Sequence, residues 1–290
     1  MVEKKKDNTN RNLVLIGIIS IIVIIYITTM ISSMIGDGLR GSEVAVIPIT
    51  GEITSRSVSQ GLFQFTTGSQ TIVNQIQRAN ENPSVAAIYL EIDSPGGTPV
   101  ASHEIVKAIK NVDKPTIAVI RELGASGAYW IASAADYIIA DELSLTGSIG
   151  VQGSYIGLYG LMDMYNVTYE RLAGGEYKDI ATPLRPMSEE ERELIEVKIN
   201  MMHEFFKEDV RQNRNLTQEE INDIGTGIFY IGLEAYELGL VDELGGRAEA
   251  VNYLEELLER RVNLVRQERS RGLFESLFGL ASDEAIIKLR

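Results

Sequence analysis

The chain has no cysteine among its 290 residues. A disulfide framework, a thiolate nucleophile and a cysteine-ligated zinc or iron–sulfur site are therefore excluded. Histidine is nearly as scarce, with only His103 and His203. A two-histidine zinc site would need both, and neither stands in an H-E-x-x-H arrangement: His203 precedes Glu204, but Lys207 occupies the place of the second histidine. A serine–histidine–aspartate triad would also have to use one of the two. This shortage directs any nucleophile toward a base other than histidine. Basic residues are in deficit too, 27 Lys and Arg against 41 Asp and Glu, for a formal net charge of −14. Phosphate contacts need clustered Lys and Arg, so no nucleic-acid partner is expected. The acidic balance reads as a solvated surface. No metal and no cofactor is expected.

One long apolar run is present. Leu13 to Ile35 carries no charge. At about 1.5 Å per residue it can cross a hydrocarbon core of about 30 Å. Lys4, Lys5, Lys6 and Arg11 precede it, against Glu3 and Asp7, and Asp37 follows. The positive-inside rule then leaves residues 1–12 in the cytoplasm and everything after Asp37 on the other side of a cell membrane, with membrane lipid as a partner of a single-pass anchor. A cleaved signal peptide would have a shorter apolar region of about 7–15 residues and small residues at a cleavage site. This run is longer and no A-x-A pattern follows it. Residues 36–43 read as a juxtamembrane linker.

Strand and helix patterns alternate from there. Val44–Ile49, Val85–Ile92, Thr116–Ile120 and Tyr137–Ala140 are short apolar, largely β-branched runs and read as buried strands; Gln70–Asn80, Val100–Lys110 and Ser126–Ala135 read as helices. Such alternation predicts an α/β fold with parallel strands. Beyond Ser188 the chain reads as helical. Ser188 followed by Glu191, and Thr217 followed by Glu220, have the spacing of capping boxes. The first opens a helix to about Asn213. Gly232–Leu238 and Arg247–Arg261 are further helical stretches, and the residues from Ser270 onward carry an apolar tail.

Three glycine-rich turns follow predicted strands: Asp93-Ser94-Pro95-Gly96-Gly97, Gly124-Ala125-Ser126-Gly127-Ala128 and Thr146-Gly147-Ser148-Ile149-Gly150. Their backbone amides suit an anion or an extended peptide. Ser126 opens a helix in the tightest of them. Taken alone it can be an N-cap serine or a nucleophile at a helix N-terminus. A serine nucleophile needs a base, and lysine serves when its amine is neutral. Lys178, in Gly174-Gly175-Glu176-Tyr177-Lys178-Asp179, is the candidate, although its spacing is equally that of a lysine in a surface loop.

The motifs DSPGG, GASGAYWIASAADYIIAD, LTGSIGV, GGEYKDIATPLRPMSEEER and IFYIGLEAYELGLVDELGG occur in that order. Together they resemble the signal peptide peptidase A family in its short, single-repeat form. The resemblance implies a ClpP/crotonase-like protease domain over residues 44–262, followed by a C-terminal tail over residues 263–290. It also implies a Ser/Lys dyad. By position, Ser126 matches the nucleophile, Lys178 the general base, Ser148 the serine that orients the lysine amine, and Gly97 and Gly127 the backbone donors of the oxyanion hole. The family often has SGGYY where this chain has SGAYW; Ala128 removes none of these roles. The implied substrates are remnant signal peptides and other short or misfolded peptides. The implied assembly is a homo-oligomeric ring in which serine and lysine can come from adjacent copies, with the tail able to lie in the binding groove. A crotonase-like acyl-CoA enzyme and a silent ring-forming membrane scaffold are the alternatives from other classes.

Overall fold

Runs of β-branched residues in the first half of the chain become the middle of one large sheet. The computed structural model describes residues 17–30, 43–56 and 66–267. In chain order the first elements are helix α1 (residues 17–30), strands β1 (Glu43–Thr50), β2 (Glu52–Thr54) and β3 (Thr66–Gly68), helix α2 (Ser69–Glu81), β4 (Val85–Ser94), α3 (Pro99–Lys110), β5 (Thr116–Ala125), α4 (Gly127–Ser133), β6 (Tyr137–Ala140) and β7 (Leu145–Gly147). The second half holds α5 (Tyr159–Met164), α6 (Glu189–Asn213), α7 (Gln218–Ile224), β8 (Phe229–Ile231), α8 (Gly232–Glu237), β9 (Glu243–Leu244), α9 (Arg247–Leu258) and β10 (Asn263–Arg266).

The eight-stranded sheet runs β10-β1-β4-β5-β6-β9 with every neighbour parallel. Strand β7 pairs in parallel with the end of β5, and β8 lies antiparallel on β7. The parallel core agrees with the α/β expectation and fits a ClpP-like core; the antiparallel β7–β8 pair was not expected. Strands β2 and β3 form a separate parallel pair. The first residues assigned to the C-terminal tail, Asn263–Arg266, are an edge strand on β1.

Both faces of the sheet are covered, which is why its strands read as continuous apolar runs. Alternate residues of β1, β4 and β5 point to opposite sides. Ala45, Ile47, Ile88, Leu90, Ala118 and Ile120 join the larger core beneath α2, α3, α4 and α6. Val44, Val46, Ala87, Tyr89, Ile117 and Val119 face α9 through Ala250 and Leu254. Each of the valine, leucine and isoleucine side chains taken out of water contributes roughly 1.5–3 kcal/mol, and each alanine less. Both capping boxes form: Ser188 accepts from the Glu191 amide and Thr217 from the Glu220 amide, with each glutamate returning the bond.

Among the described residues, no helix is long and apolar enough to cross a membrane. The described part of helix α1, residues 17–30, spans about 21 Å at 1.5 Å per residue, and its side chains are exposed. The rest of the apolar run, the cations before it, the linker up to residue 42 and the tail beyond residue 267 lie outside the described residues.

Candidate active site

Strand β5 ends at Ala125 and α4 begins at Gly127, so Ser126 alone makes the turn between them. Its φ of 56° and ψ of −127° are costly for a residue with a side chain, about 1–3 kcal/mol. The backbone on either side holds it there. The Ser126 amide donates to the Gly147 carbonyl at 2.8 Å, and the Trp130 amide donates to the Ser126 carbonyl at 3.0 Å. Ser126 occupies the N-cap position, yet its hydroxyl makes no capping bond. The cap role therefore does not account for this serine. A strained residue at a strand-to-helix turn with an uncommitted hydroxyl is compatible with nucleophilic chemistry.

The Asp93–Gly97 turn stands beside it. Ser94 Oγ donates to the Gly51 carbonyl at 2.6 Å and accepts from the Gly96 amide at 3.1 Å. Strand β2 grips the same turn: the Ile53 amide donates to Gly96 O at 2.8 Å, and the Thr98 amide to Ile53 O at 2.9 Å. Glycine is required at 97 because a Cβ there would overlap the Ile53 carbonyl oxygen; at 127 a Cβ would force the Ser102 hydroxyl to move. A Cβ at Gly127 would also lie 3.3 Å from the Gly97 nitrogen, so the two backbones nearly touch. Neither the Gly97 nor the Gly127 amide has a hydrogen-bond partner among the described residues. Two uncommitted N–H groups next to an uncommitted hydroxyl can receive the oxygen of an attacked carbonyl.

Ser126, Gly97 and Gly127 line one cavity of about 460 Å³, together with Trp130, Phe206, Val151 and Gln152. Glu52 is its only charged lining residue among the described residues. Trp130 also walls an adjoining apolar cavity of about 270 Å³ with Met201, Met202 and Phe205. The sequence reading did not single out Trp130, Ser94, Ser102 or Glu52. Trp130 had a usable signal, as the chain's one tryptophan four residues beyond Ser126; Ser94 ends β4, and Glu52 and Ser102 are placed by β2 and α3, which meet the turn only in the folded chain.

The two histidines are occupied elsewhere. His103 stacks on Trp130 with centroids 5.4 Å apart and meets Phe205 edge-on. Desolvation, with Lys107 nearby, holds it below the usual imidazole range. His203 Nε2 lies 2.8 Å from Gly225 O and 3.1 Å from Ile149 O, so it ties the turn after β7 to the end of α7.

Ser148 follows β7 with φ 50°, its amide donating to Ile228 O at 2.8 Å and its hydroxyl to Gly227 O at 3.2 Å. It is one residue from the carbonyl that holds Ser126. Lys178 is placed differently. It sits on an exposed turn and is not among the residues lining the Ser126 cavity. One chain thus brings together Ser126, Gly97 and Gly127, sets Ser148 close by, and leaves Lys178 apart.

The model of peptidase family S49 matches residues 108–261, a span that includes Ser126, Ser148 and Lys178. A Methanocaldococcus jannaschii protein provisionally named a protease is 33% identical over 225 residues, 76% of this chain and 72% of that protein. Protease 4 of Haemophilus influenzae is 30% identical over 79% of this chain, which spans only 37% of that protein. The chloroplastic serine protease SPPA of Arabidopsis thaliana is 30% identical over 84% of this chain and 38% of that protein. The chain belongs to peptidase family S49, the signal peptide peptidase A family of serine-type peptidases.

Proposed function

We propose that the chain is a membrane-anchored endopeptidase in which Ser126 is the nucleophile and Lys178 of a neighbouring copy is the general base. The observation that carries this reading is the uncommitted Ser126 hydroxyl at φ 56°, beside the partnerless amides of Gly97 and Gly127. A neutral lysine amine takes the hydroxyl proton as Oγ attacks the peptide carbonyl. The two amides receive the oxyanion, and each is worth roughly 2.7–4 kcal/mol of barrier. The ammonium then protonates the leaving amine. Water, deprotonated by the same lysine, releases the acyl group and restores the serine. Ser148 donates to Gly227 O and keeps its own lone pairs to accept from the lysine amine.

Two features support a base supplied by another copy. Lys178 lies on an exposed turn away from the cavity of its own chain. The segment around it also carries apolar side chains with nothing beneath them: Ile156 is 79% exposed, Met164 81% and Leu172 89%, and α5 buries no residue. Apolar surface of this extent is characteristic of a subunit contact, and a head-to-tail contact that closes gives a ring. The uncharged run Leu13–Ile35, with cations before it, supports a single-pass anchor in the cell membrane with the catalytic domain on the extracytoplasmic side. Signal-peptide remnants and other short peptides near that membrane are the proposed substrates.

Mixing two inactive variants tests this. Ser126→Ala and Lys178→Ala chains are each expected to lack peptide cleavage. Co-assembled in equal amounts, they recover about a quarter of parental activity, because a quarter of random junctions unite an intact Ser126 with an intact Lys178. No recovery in mixed assemblies of normal size would refute the shared site.

A further inference from the structure

Lys178 stands in a turn whose other polar groups are almost all engaged. Arg171 Nε donates to Asp179 Oδ1 at 2.7 Å, and its Nη2 reaches Glu176 O at 2.7 Å and Gly175 O at 3.2 Å. Arg171 thus grips the turn on both sides of Lys178. Arg185 donates to Asp179 Oδ2 at 2.9 Å and Oδ1 at 3.1 Å. The same guanidinium donates to both Glu191 oxygens, at 2.6 and 2.9 Å. Glu191 in turn accepts from the Ser188 amide at 2.9 Å, within the capping box of α6. Tyr177 donates to Glu190 at 2.5 Å. The Lys178 amine and the Glu176 carboxylate are the exceptions: neither has an ion pair or a side-chain hydrogen bond among the described residues, although Asp179 is the lysine's next neighbour.

We propose that the Arg171–Asp179–Arg185–Glu191 cluster is a positioning device for Lys178, which fixes its turn to α6 and keeps the Asp179 carboxylate from pairing with the lysine amine. The proposal rests on the reading of Lys178 as the general base. A base must be uncharged to accept a proton, and an adjacent free carboxylate favours the charged ammonium. Hydrogen bonds from Arg185, then Arg171, hold the Asp179 carboxyl far below the usual carboxylate range. Both Asp179 oxygens are taken, so its charge is balanced by guanidinium groups rather than by the lysine. The charged and titratable groups around Lys178 are Glu176, Tyr177 and Asp179 on its own turn, Arg171 before it, Arg185 after it, and Glu190 and Glu191 on α6. Of these, Asp179 is the carboxylate that two arginines share.

The test is the pH dependence of turnover of a peptide ester by the full chain and five variants: Lys178→Ala, Arg185→Met, Arg171→Met, Asp179→Asn and the double variant Arg185→Met with Asp179→Asn. Losing Arg185 frees Asp179 Oδ2 to stabilise the ammonium, so the pH of half-maximal rate rises by about one unit. Arg171→Met gives a smaller shift in the same direction. The double variant has no carboxylate to release, and its pH profile returns toward the parental one. A merely structural cluster would lower the rate by one factor at every pH, with the double variant no better than the single; that result overturns the proposal. Should Arg185→Met fail to fold, Arg171→Met carries the test, since it keeps the Arg185–Glu191 link to α6. Lys178→Ala with near-parental turnover removes the base reading and this proposal with it. An inactive Lys178→Ala with unshifted arginine variants removes the positioning role alone.

Discussion

Replacing Gly97 with alanine puts a methyl group where the Ile53 carbonyl oxygen already stands. The added Cβ would also lie 2.6 Å from both the carbonyl carbon and the amide nitrogen of Ile53, so the obstacle is backbone on three atoms and no side chain can swing away. Either β2 or the Asp93–Gly97 turn must move by a sizeable fraction of an ångström. The turn is held by Ser94 Oγ and by both Ile53 bonds, so the shift is expected to carry the Gly97 amide off its line toward the reacting oxygen. Loss of one such donor costs about 10²–10³ in kcat, with KM little changed because the bond forms chiefly in the transition state. Gly246→Ala is the matched control: a Cβ there meets nothing within 4 Å, and the position opens α9, outside the lining of the Ser126 cavity. The assay is kcat and KM for peptide-ester hydrolysis on assembled protein, with Tm for both variants. A Gly97→Ala enzyme that keeps more than about a tenth of parental kcat would refute the assignment of that amide as a donor.

Ser126→Gly abolishes turnover but relieves a residue held at φ 56°, and its Tm should rise by about 2–4 °C; a lower Tm would mean that the turn stores no strain. Leu90→Ala, at a fully buried position in β4, should cost about 2–5 kcal/mol in a urea titration; a loss below about 1 kcal/mol would contradict its place in the core. Ile156→Asp should weaken assembly and activity while leaving protomer Tm within experimental scatter, as read by light scattering and calorimetry; full assembly would remove that surface from the subunit contact. Hydrogen bonds from Arg185, then from the Ser188 amide, bring the Glu191 carboxyl down to about 2. A depressed carboxyl adds stability above its ordinary 4.5 and loses it as pH falls toward 2, so α6 should begin to fray in that window by circular dichroism; unchanged helicity to pH 2 would count against the bond.

The elements legible in the sequence are those whose residues answer to one local rule. The β-branched runs of β1, β4 and β5 announced a sheet buried on both faces, and Ser188 and Thr217 announced two helix starts through side chains three residues away. Strands β2, β7, β8 and β9 gave no such signal. They span two or three residues each and exist only because distant backbone meets them, as Leu145–Gly147 meets both β5 and β8. The end of β5 was hidden for another reason: Arg121 and Glu122 are exposed and polar, so the apolar run stops while the strand continues to Ala125. At the site, the glycine turns marked backbone suited to an anion, and the resemblance to the signal peptide peptidase A family implied the partnership of Ser126 with Gly97 and Gly127. The strain at Ser126 and the grip of Ile53 on the Asp93–Gly97 turn belong to tertiary contacts and left no trace in composition. No local pattern places Lys178 outside the lining of its own chain's cavity; only the resemblance, in which serine and lysine can come from adjacent copies, allowed for it.

The measurement that bears most directly on the central claim is acylation by a serine-directed probe with mapping of the modified residue. The account predicts one ester, on Ser126, formed in the parental assembly, absent from Ser126→Ala and strongly slowed in Lys178→Ala. Modification at any other serine, or labelling of Ser126 at the parental rate without Lys178, would contradict it.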